Sequence, residues 1–377
     1  MARLTLSLSC VDYDRTRAIF EEKVRVAGCE IVPTAMSPEE AFHRAFKFQE
    51  FDITELSMSS YMNQVSKDGS PYVGIPAFLS RMFRHSSVYI RTDKGIERPE
   101  DLKGKVVGVP EYQMTAALWV RGMLEDEYGV LPSDMSWRDG GLEEGGKIPN
   151  LNLTLPDGVH LETIPPDRTL SEMLDTGEID AMMSARAPSC FGRNDKVDRL
   201  FPDYRSAEEA FYKKSGLFPI MHIVGIRRSL VEQHPWLPVN VLNAFIDAKQ
   251  VCYLNLAKVG HLFTTLPWPV DEFEAAKALM GDDYWPYGVK ANAAEIEAMG
   301  RTAMAHACHV GYWEQCDALV DAVYERFGRI DVMINNAGMS PHYDRPTDIP
   351  EALYDKVQDV NLKGPFRLCA NVGQRMI

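Results

Sequence analysis

From Arg3 to Leu8 apolar and polar positions alternate with the period of a half-buried strand, and Asp12 then stands where it can cap a helix running to about Ala27. The same order follows at once. CEIVP predicts a strand, and SPEEAFHRAFKFQE a helix whose start carries Ser37 and Glu40 in the S-x-x-E pattern that satisfies backbone donors reciprocally. FDITELSMSSYM, YVGIPAFLSRMF and SSVYIR predict further strands. Next, RPEDLKGKVVGVPEYQMTAALWVRGMLEDEYGV predicts a turn, a buried strand over Val106 to Val109 and a helix from about Thr115 to Tyr128. A Gly-rich polar stretch from Asp139 to Asn152 reads as a long surface loop. VHLETIP and GEIDAMMSA predict strands around a short helix at Ser171 to Thr176, FPIMHIVGIRRSL another strand, and Val239 to Leu256 a strongly apolar helix. No repeat period is present. Strands alternating with helices predict an α/β fold with a largely parallel sheet.

The length of 377 residues exceeds one small module and fits two or three units at roughly 150 residues each. With 45% hydrophobic and 25% charged residues the chain has the balance of a folded, water-soluble protein. Its net charge of −14 repels a phosphate backbone at long range, so nucleic acid is not an expected partner. The seven Cys, at 10, 29, 190, 252, 308, 316 and 369, are widely spaced without a CxxC pair, which fits a reducing compartment better than a disulfide framework. No apolar run approaches the roughly 18 to 20 residues of a membrane span, and MARLTLSLSCVDYD lacks the apolar region of a signal peptide. The expected location is cytoplasmic, with no membrane partner and with self-association left open. His306, Cys308, His309 and Cys316 have no second paired motif beside them, so no metal site is expected there.

PEDLKGKVVGVPEYQMTAALWVRGML, LDTGEIDAMMSARAP and FPIMHIVGIRRSLVEQHPWL together resemble the type II periplasmic-binding-protein fold, in which two α/β lobes joined by crossover strands close on a ligand. More narrowly, FRHSSVYIR and DDYWPYGVKAN resemble the 4,5-dihydroxyphthalate decarboxylases, enzymes of that superfamily, over about residues 1–310. This resemblance implies a first lobe from 1–91 and 219–313, the latter with C-terminal helices, and a second lobe from 92–218. A different family is resembled beyond. FGRIDVMINNAGMS followed by DVNLKGPF is similar to the middle of a short-chain dehydrogenase/reductase, with the NNAG strand end at Asn335 to Gly338 and the helix asparagine at Asn361. Nothing between Asp317 and Asp331 supplies that family's glycine-rich TGxxxGxG turn, and no YxxxK pair follows Asn361. Tyr354-Asp355-Lys356 has the wrong spacing and order. Residues 314–377 are therefore expected to be a non-catalytic Rossmann-type fragment, and no organic cofactor is expected.

The implied activity is decarboxylation of a dihydroxylated aromatic dicarboxylate, with a non-catalytic aromatic-acid binding protein as the alternative. Two carboxylates in a chain of this charge need a locally positive cleft. Arg81, Arg84 and His85 cluster at a strand end in SRMFRHSSVYIR, where guanidinium groups offer paired donors to a carboxylate. Glu111, Tyr112, Gln113 and Thr115 lie between a buried strand and a helix start, whose free N–H groups favour an anion. Glu111 itself repels an anion unless a dry site keeps it protonated as an acid. Arg186 follows the strand DAMMSA and is placed to grip a carboxylate from the opposite lobe. The resembling fold puts His222, in FPIMHIVGI, on the return crossover beside the ligand, although a lone His on an apolar strand is more often a core residue. Ser57, Ser59 and Tyr61 are candidates for bonding substrate hydroxyls. His85 and His222 are the candidates for proton transfer, since imidazole titrates near neutrality.

Overall fold

The computed structural model describes residues 3–67, 69–146, 153, 155–293, 295, 304, 306, 308–331, 333, 335 and 349–376. The chain divides into two compact units, Met1–Leu230 with Val241–Tyr287, and Val231–Asn240 with Gly288–Ile377.

The first unit holds two sheets. Strands β1 (Leu4–Cys10), β2 (Cys29–Ala35), β3 (Ile53–Ser57) and β4 (Tyr72–Arg81) belong to one; β5 (Val88–Arg91), β6 (Val106–Val109), β7 (Ser136–Asp139), β8 (His160–Thr163), β9 (Ala181–Met183) and β10 (Val197–Arg199) form the other. Strand β11 (Ile220–Arg227) then returns to the first sheet, giving orders β2-β1-β3-β11-β4 and β10-β5-β9-β6-β7-β8. Pairing is parallel for β1 with β2 and β3, and for β6 with β7 and β9. Strand β11 runs antiparallel between β3 and β4, as β5 does between β9 and β10. The chain thus crosses from one sheet to the other after Arg81 and back at Ile220, which is the two-lobed α/β architecture the sequence leads one to expect.

Local chemistry sets the element ends. The helices of this unit begin with α1 (Arg17–Phe20), α2 (Pro38–Phe48), α3 (Met58–Lys67), α4 (Thr115–Tyr128), α5 (Leu170–Thr176) and α6 (Tyr204–Ser215). Ser37 Oγ accepts from the Glu40 N–H at 3.4 Å, with Pro38 in the first turn of α2. Thr169 and Glu172 cap α5 reciprocally. Pro33 sits in β2, an edge strand, where its missing donor costs no ladder bond. The second lobe closes over Trp137, Leu102, Val107, Val109 and Leu124, and the buried Trp137 indole donates to Pro132 O at 2.8 Å.

Two elements differ from the sequence expectation. The helix expected from Asp12 to Ala27 is only the turn Arg17–Phe20, because Thr16 Oγ1 bonds back to Val11 O and the chain leaves the helix at Glu22, with φ 55°. FDITELSMSSYM is a strand only to Ser57: pairing with β11 stops there and Met58 begins α3.

Helices α7 (Arg228–Gln233), α8 (Leu237–Leu256) and α9 (Pro269–Met280) follow, and the second unit adds α10 (Trp313–Phe327), α11 (Glu351–Gln358) and α12 (Gly364–Met376). Helices α10 and α12 pack through Cys316, Val320, Leu368 and Val372, and Arg367 pairs with Asp317. No strand occurs in this unit among the described residues. Of the NNAG segment only Asn335 is described, and the end of the Asp139–Asn152 loop, from 147 on, also lies outside the described residues. Among the described residues no helix is long and apolar enough to cross a membrane.

Candidate active site

Strands β3 and β11 pair so that His222 faces Ser57 and Val224 faces Glu55. Side chains opposite one another share a face, and diagonal neighbours are within reach when one is long. His222 Nδ1 meets Glu55 Oε1 at 2.6 Å across that diagonal. Glu55 is fully enclosed, yet it carries three bonds: the second oxygen accepts from Val11 N at 3.1 Å, and Tyr13 OH donates to Oε1 at 2.9 Å. Burial alone pushes its carboxyl up, but the bond to His222, helped by those from Val11 and Tyr13, more than offsets this and holds it below the usual carboxylate range. Burial, with the charge and bond of Glu55, pushes the Tyr13 phenol up, so Tyr13 stays a donor. The His222 side chain keeps 15% of its surface exposed, with Phe42 edge-on at 4.8 Å. An imidazole oriented by an ionised carboxylate and open on one side is an arrangement for moving a proton.

Beside this pair lies a hydroxyl seam between the lobes. Thr115 opens α4 and Trp119 follows four residues on, the spacing that puts both on one face. Thr115 Oγ1 is 3.0 Å from both Ser57 Oγ and Ser59 Oγ and accepts from Ser59 N at 3.1 Å. Ser59 Oγ donates to Gln113 O at 2.6 Å, and the Trp119 indole donates to Ile220 O at 3.0 Å. The structure therefore brings Ser57, Ser59, Gln113, Thr115 and His222 into one constellation.

The other sequence candidates make contacts of their own. Arg81 is buried and donates to Phe218 O and Pro286 O, tying the end of β4 to two later segments. Arg84 is 8% exposed and its Nε meets the Met221 thioether at 3.2 Å, with no carboxylate at ion-pairing distance among the described residues. Burial pushes its guanidinium down to about 10. His85 is packed edge-on against Phe201 and Phe211, its Nδ1 without a hydrogen-bond partner among the described residues, and burial pushes it down to about 4. Tyr112 lies buried against Trp137, with the Arg121 guanidinium 3.8 Å from its ring centre. Glu111 is half-buried and 3.5 Å from Gln113 Nε2. Arg186 is exposed and pairs with Glu39 at 3.5 Å, a contact of little energetic weight. Tyr61 OH accepts from Gly74 N at 2.8 Å. No group of three or more His, Cys, Asp or Glu side chains placed to hold a metal occurs among the described residues.

Glu55 and Tyr13 were not legible as site residues from residue type alone. The available signal was the single acid in ITELS, a strand apolar enough to be buried, where an ionised group demands a partner.

Over 298 residues the chain is 46% identical to the 4,5-dihydroxyphthalate decarboxylase of Comamonas testosteroni, which covers 79% of this chain and 90% of that protein. The chain belongs to the 4,5-dihydroxyphthalate decarboxylase family. A Pseudomonas putida member of this decarboxylase family is 45% identical over 214 residues, 56% of the chain and 83% of that protein. Residues 276–377 match the family model of short chain dehydrogenases. There the chain is 36% identical over 83 residues to dehydrogenase/reductase SDR family member 4 of Bos taurus, 22% of this chain and 30% of that protein. Among solved structures, the alkanesulfonate-binding protein SsuA of Xanthomonas axonopodis pv. citri aligns at TM-score 0.42 and 11% identity, over 89% of this chain and 96% of that one. The resemblances to the 4,5-dihydroxyphthalate decarboxylases and to the short-chain dehydrogenases are met by the first of these relatives and by the family model.

Proposed function

We propose that the chain is a carboxy-lyase that converts 4,5-dihydroxyphthalate to 3,4-dihydroxybenzoate in the breakdown of phthalates, in the cytoplasm and without an organic cofactor, with residues 314–377 taking no part in the chemistry. The observation that carries this reading is the 2.6 Å contact of His222 with the enclosed carboxylate of Glu55, beside hydroxyls from both lobes.

The chemistry asks for little more than proton control. Each carboxylate of the substrate is para to a hydroxyl, so withdrawing the phenolic proton drives electron density onto the carboxylated ring carbon. A proton joins that carbon, the carbon–carbon bond to the carboxylate breaks, and the bonding pair returns to the ring as carbon dioxide leaves. Net, one proton replaces one carbon dioxide. His222 takes the phenolic proton and Glu55 stabilises the resulting imidazolium, a role worth on the order of a hundred- to ten-thousandfold in rate. Arg84, a buried cation against the Met221 thioether with no carboxylate at ion-pairing distance among the described residues, is assigned to a substrate carboxylate, and Ser57, Ser59 and Thr115 to the substrate's hydroxyls.

The test is purified chain with 4,5-dihydroxyphthalate, before and after chelator treatment, followed by carbon dioxide release and 3,4-dihydroxybenzoate formation, together with His222→Asn. Wild-type turnover that His222→Asn abolishes without abolishing binding supports the enzyme. Binding by the wild type with no turnover favours a binding protein instead.

A further inference from the structure

The segment Asp283 to Tyr287 is clamped onto the first lobe. Trp285 N donates to Tyr253 OH and its indole to Phe78 O, at 3.0 and 2.9 Å; Lys249 Nζ donates to Trp285 O at 2.9 Å, and Arg81 Nη2 to Pro286 O at 2.9 Å. Against this background the Tyr287 hydroxyl is the exception. The residue is 9% exposed, and its OH has no hydrogen-bond partner among the described residues. A buried hydroxyl left so costs about 1–3 kcal/mol of desolvation unless something completes it. The charged groups whose fields reach it are Arg15, Arg81 and Glu55, and the Lys249 ammonium stands 4.8 Å from its ring centre. Arg81, which ends β4, bonds the carbonyl of Pro286, the preceding residue, so Tyr287 lies near the carboxyl ends of the strands, where α/β sheets present ligand contacts.

We infer that Tyr287 is a specificity-determining residue whose hydroxyl donates to a carboxylate of the aromatic diacid, with Arg15 and Arg81 supplying the positive field that makes a carboxylate, rather than a neutral phenol, the acceptor. The inference deepens the proposed function and rests on it for the identity of the substrate. Arg15 itself is held in place: Nε donates to Leu79 O at 2.6 Å, and the guanidinium lies 4.0 and 4.1 Å from the ring centres of Tyr13 and Trp285. The position is therefore rigid, as a group that discriminates among acids must be.

The experiment compares wild type with Tyr287→Phe in three measurements: thermal midpoint without ligand, binding of phthalate (two carboxylates, no hydroxyl) and of catechol (two hydroxyls, no carboxylate), and KM for 4,5-dihydroxyphthalate. Expected are an equal or higher midpoint, phthalate binding weakened about ten- to a hundredfold, unchanged catechol binding and a KM raised in step with the phthalate loss. A lowered midpoint with equal losses for both probes shows a structural role and overturns the inference, as does unchanged phthalate binding. Phthalate binding that depends on Tyr287, in a chain that never turns over 4,5-dihydroxyphthalate, supports the subsite while sinking the decarboxylase reading.

Discussion

Glu55 and His222 meet diagonally across β3 and β11, the carboxylate wholly enclosed and the imidazole open on one side. Removing the charge while keeping the shape separates orientation from packing. In Glu55→Gln the amide still fills the space but no longer stabilises an imidazolium, so kcat falls on the order of a hundredfold or more with a much smaller change in KM. Stability carries a second signature. The folded carboxyl lies below its unfolded value, so its contribution is present above roughly pH 4.3 and is lost as the pH falls through the folded value. Thermal midpoints of the two proteins should therefore draw together in acid; a constant gap from pH 7 to pH 3 would contradict the assignment.

His85 gives the opposite case. Its ring is 2% exposed between Phe201 and Phe211, and burial takes it from 6.5 down to about 4. The unfolded chain holds that proton up to ~6.5, so the His85 contribution is complete above that pH and fades as the pH falls toward about 4, a loss of about 3 kcal/mol. Glu208 nearby, pushed up to about 7 chiefly by burial, acts in the other direction, but it is present in both proteins being compared. His85→Phe is expected to retain turnover and to show a shallower loss of stability between pH 7 and pH 4.5 in urea titrations. Abolished turnover in a folded variant would return His85 to the chemistry.

Most of the fold was legible because the signals were local. The helix at 115–128, the strand at 106–109 and the Ser37 cap needed only periodicity and capping chemistry, and the structure has them where the pattern puts them. The short α1 was not legible, because periodicity does not report what limits it: Thr16 bonds back to Val11 O before it, and the chain leaves the helix at Glu22 with φ 55° after it. The site divides in the same way. Ser57, Ser59 and Thr115 could be nominated one by one from a strand end and a helix start, and His222 from the resembling fold, but their assembly depends on strand register and on two lobes meeting. Glu55 was passed over because residue type does not say which acid in a chain of net charge −14 is the enclosed one. Arg81 illustrates the converse: a cation at a strand end reads as a ligand contact, and here it meets backbone carbonyls.

Thr115 joins the lobes through two serines and one backbone donor. Thr115→Val keeps the volume and removes the oxygen, leaving Ser57, Ser59 and the Ser59 N–H without that partner in a buried place. A loss of about 1–3 kcal/mol in urea unfolding is expected, with a raised KM, and Thr115→Ser should restore most of both. If Val and Ser behave alike, the seam contributes packing and not hydrogen bonding.

The C-terminal segment offers a test of what the second family resemblance means. Leu362, Phe366 and Tyr354 are each more than half exposed, although α12 buries Leu368 and Val372 against α10. Apolar surface of this kind favours self-association over solubility. Deletion of residues 314–377 leaves the chain intact through Tyr287, where the first unit ends. The shortened protein is expected to keep its decarboxylase turnover and to show less light scattering on warming. The undeleted chain should leave the fluorescence of NADH and NADPH unaltered, since these 377 residues lack the glycine-rich turn that would receive their pyrophosphate. Loss of solubility or turnover on deletion would instead make the segment a working part of the decarboxylase, and its α10–α12 pair the place to look for the reason.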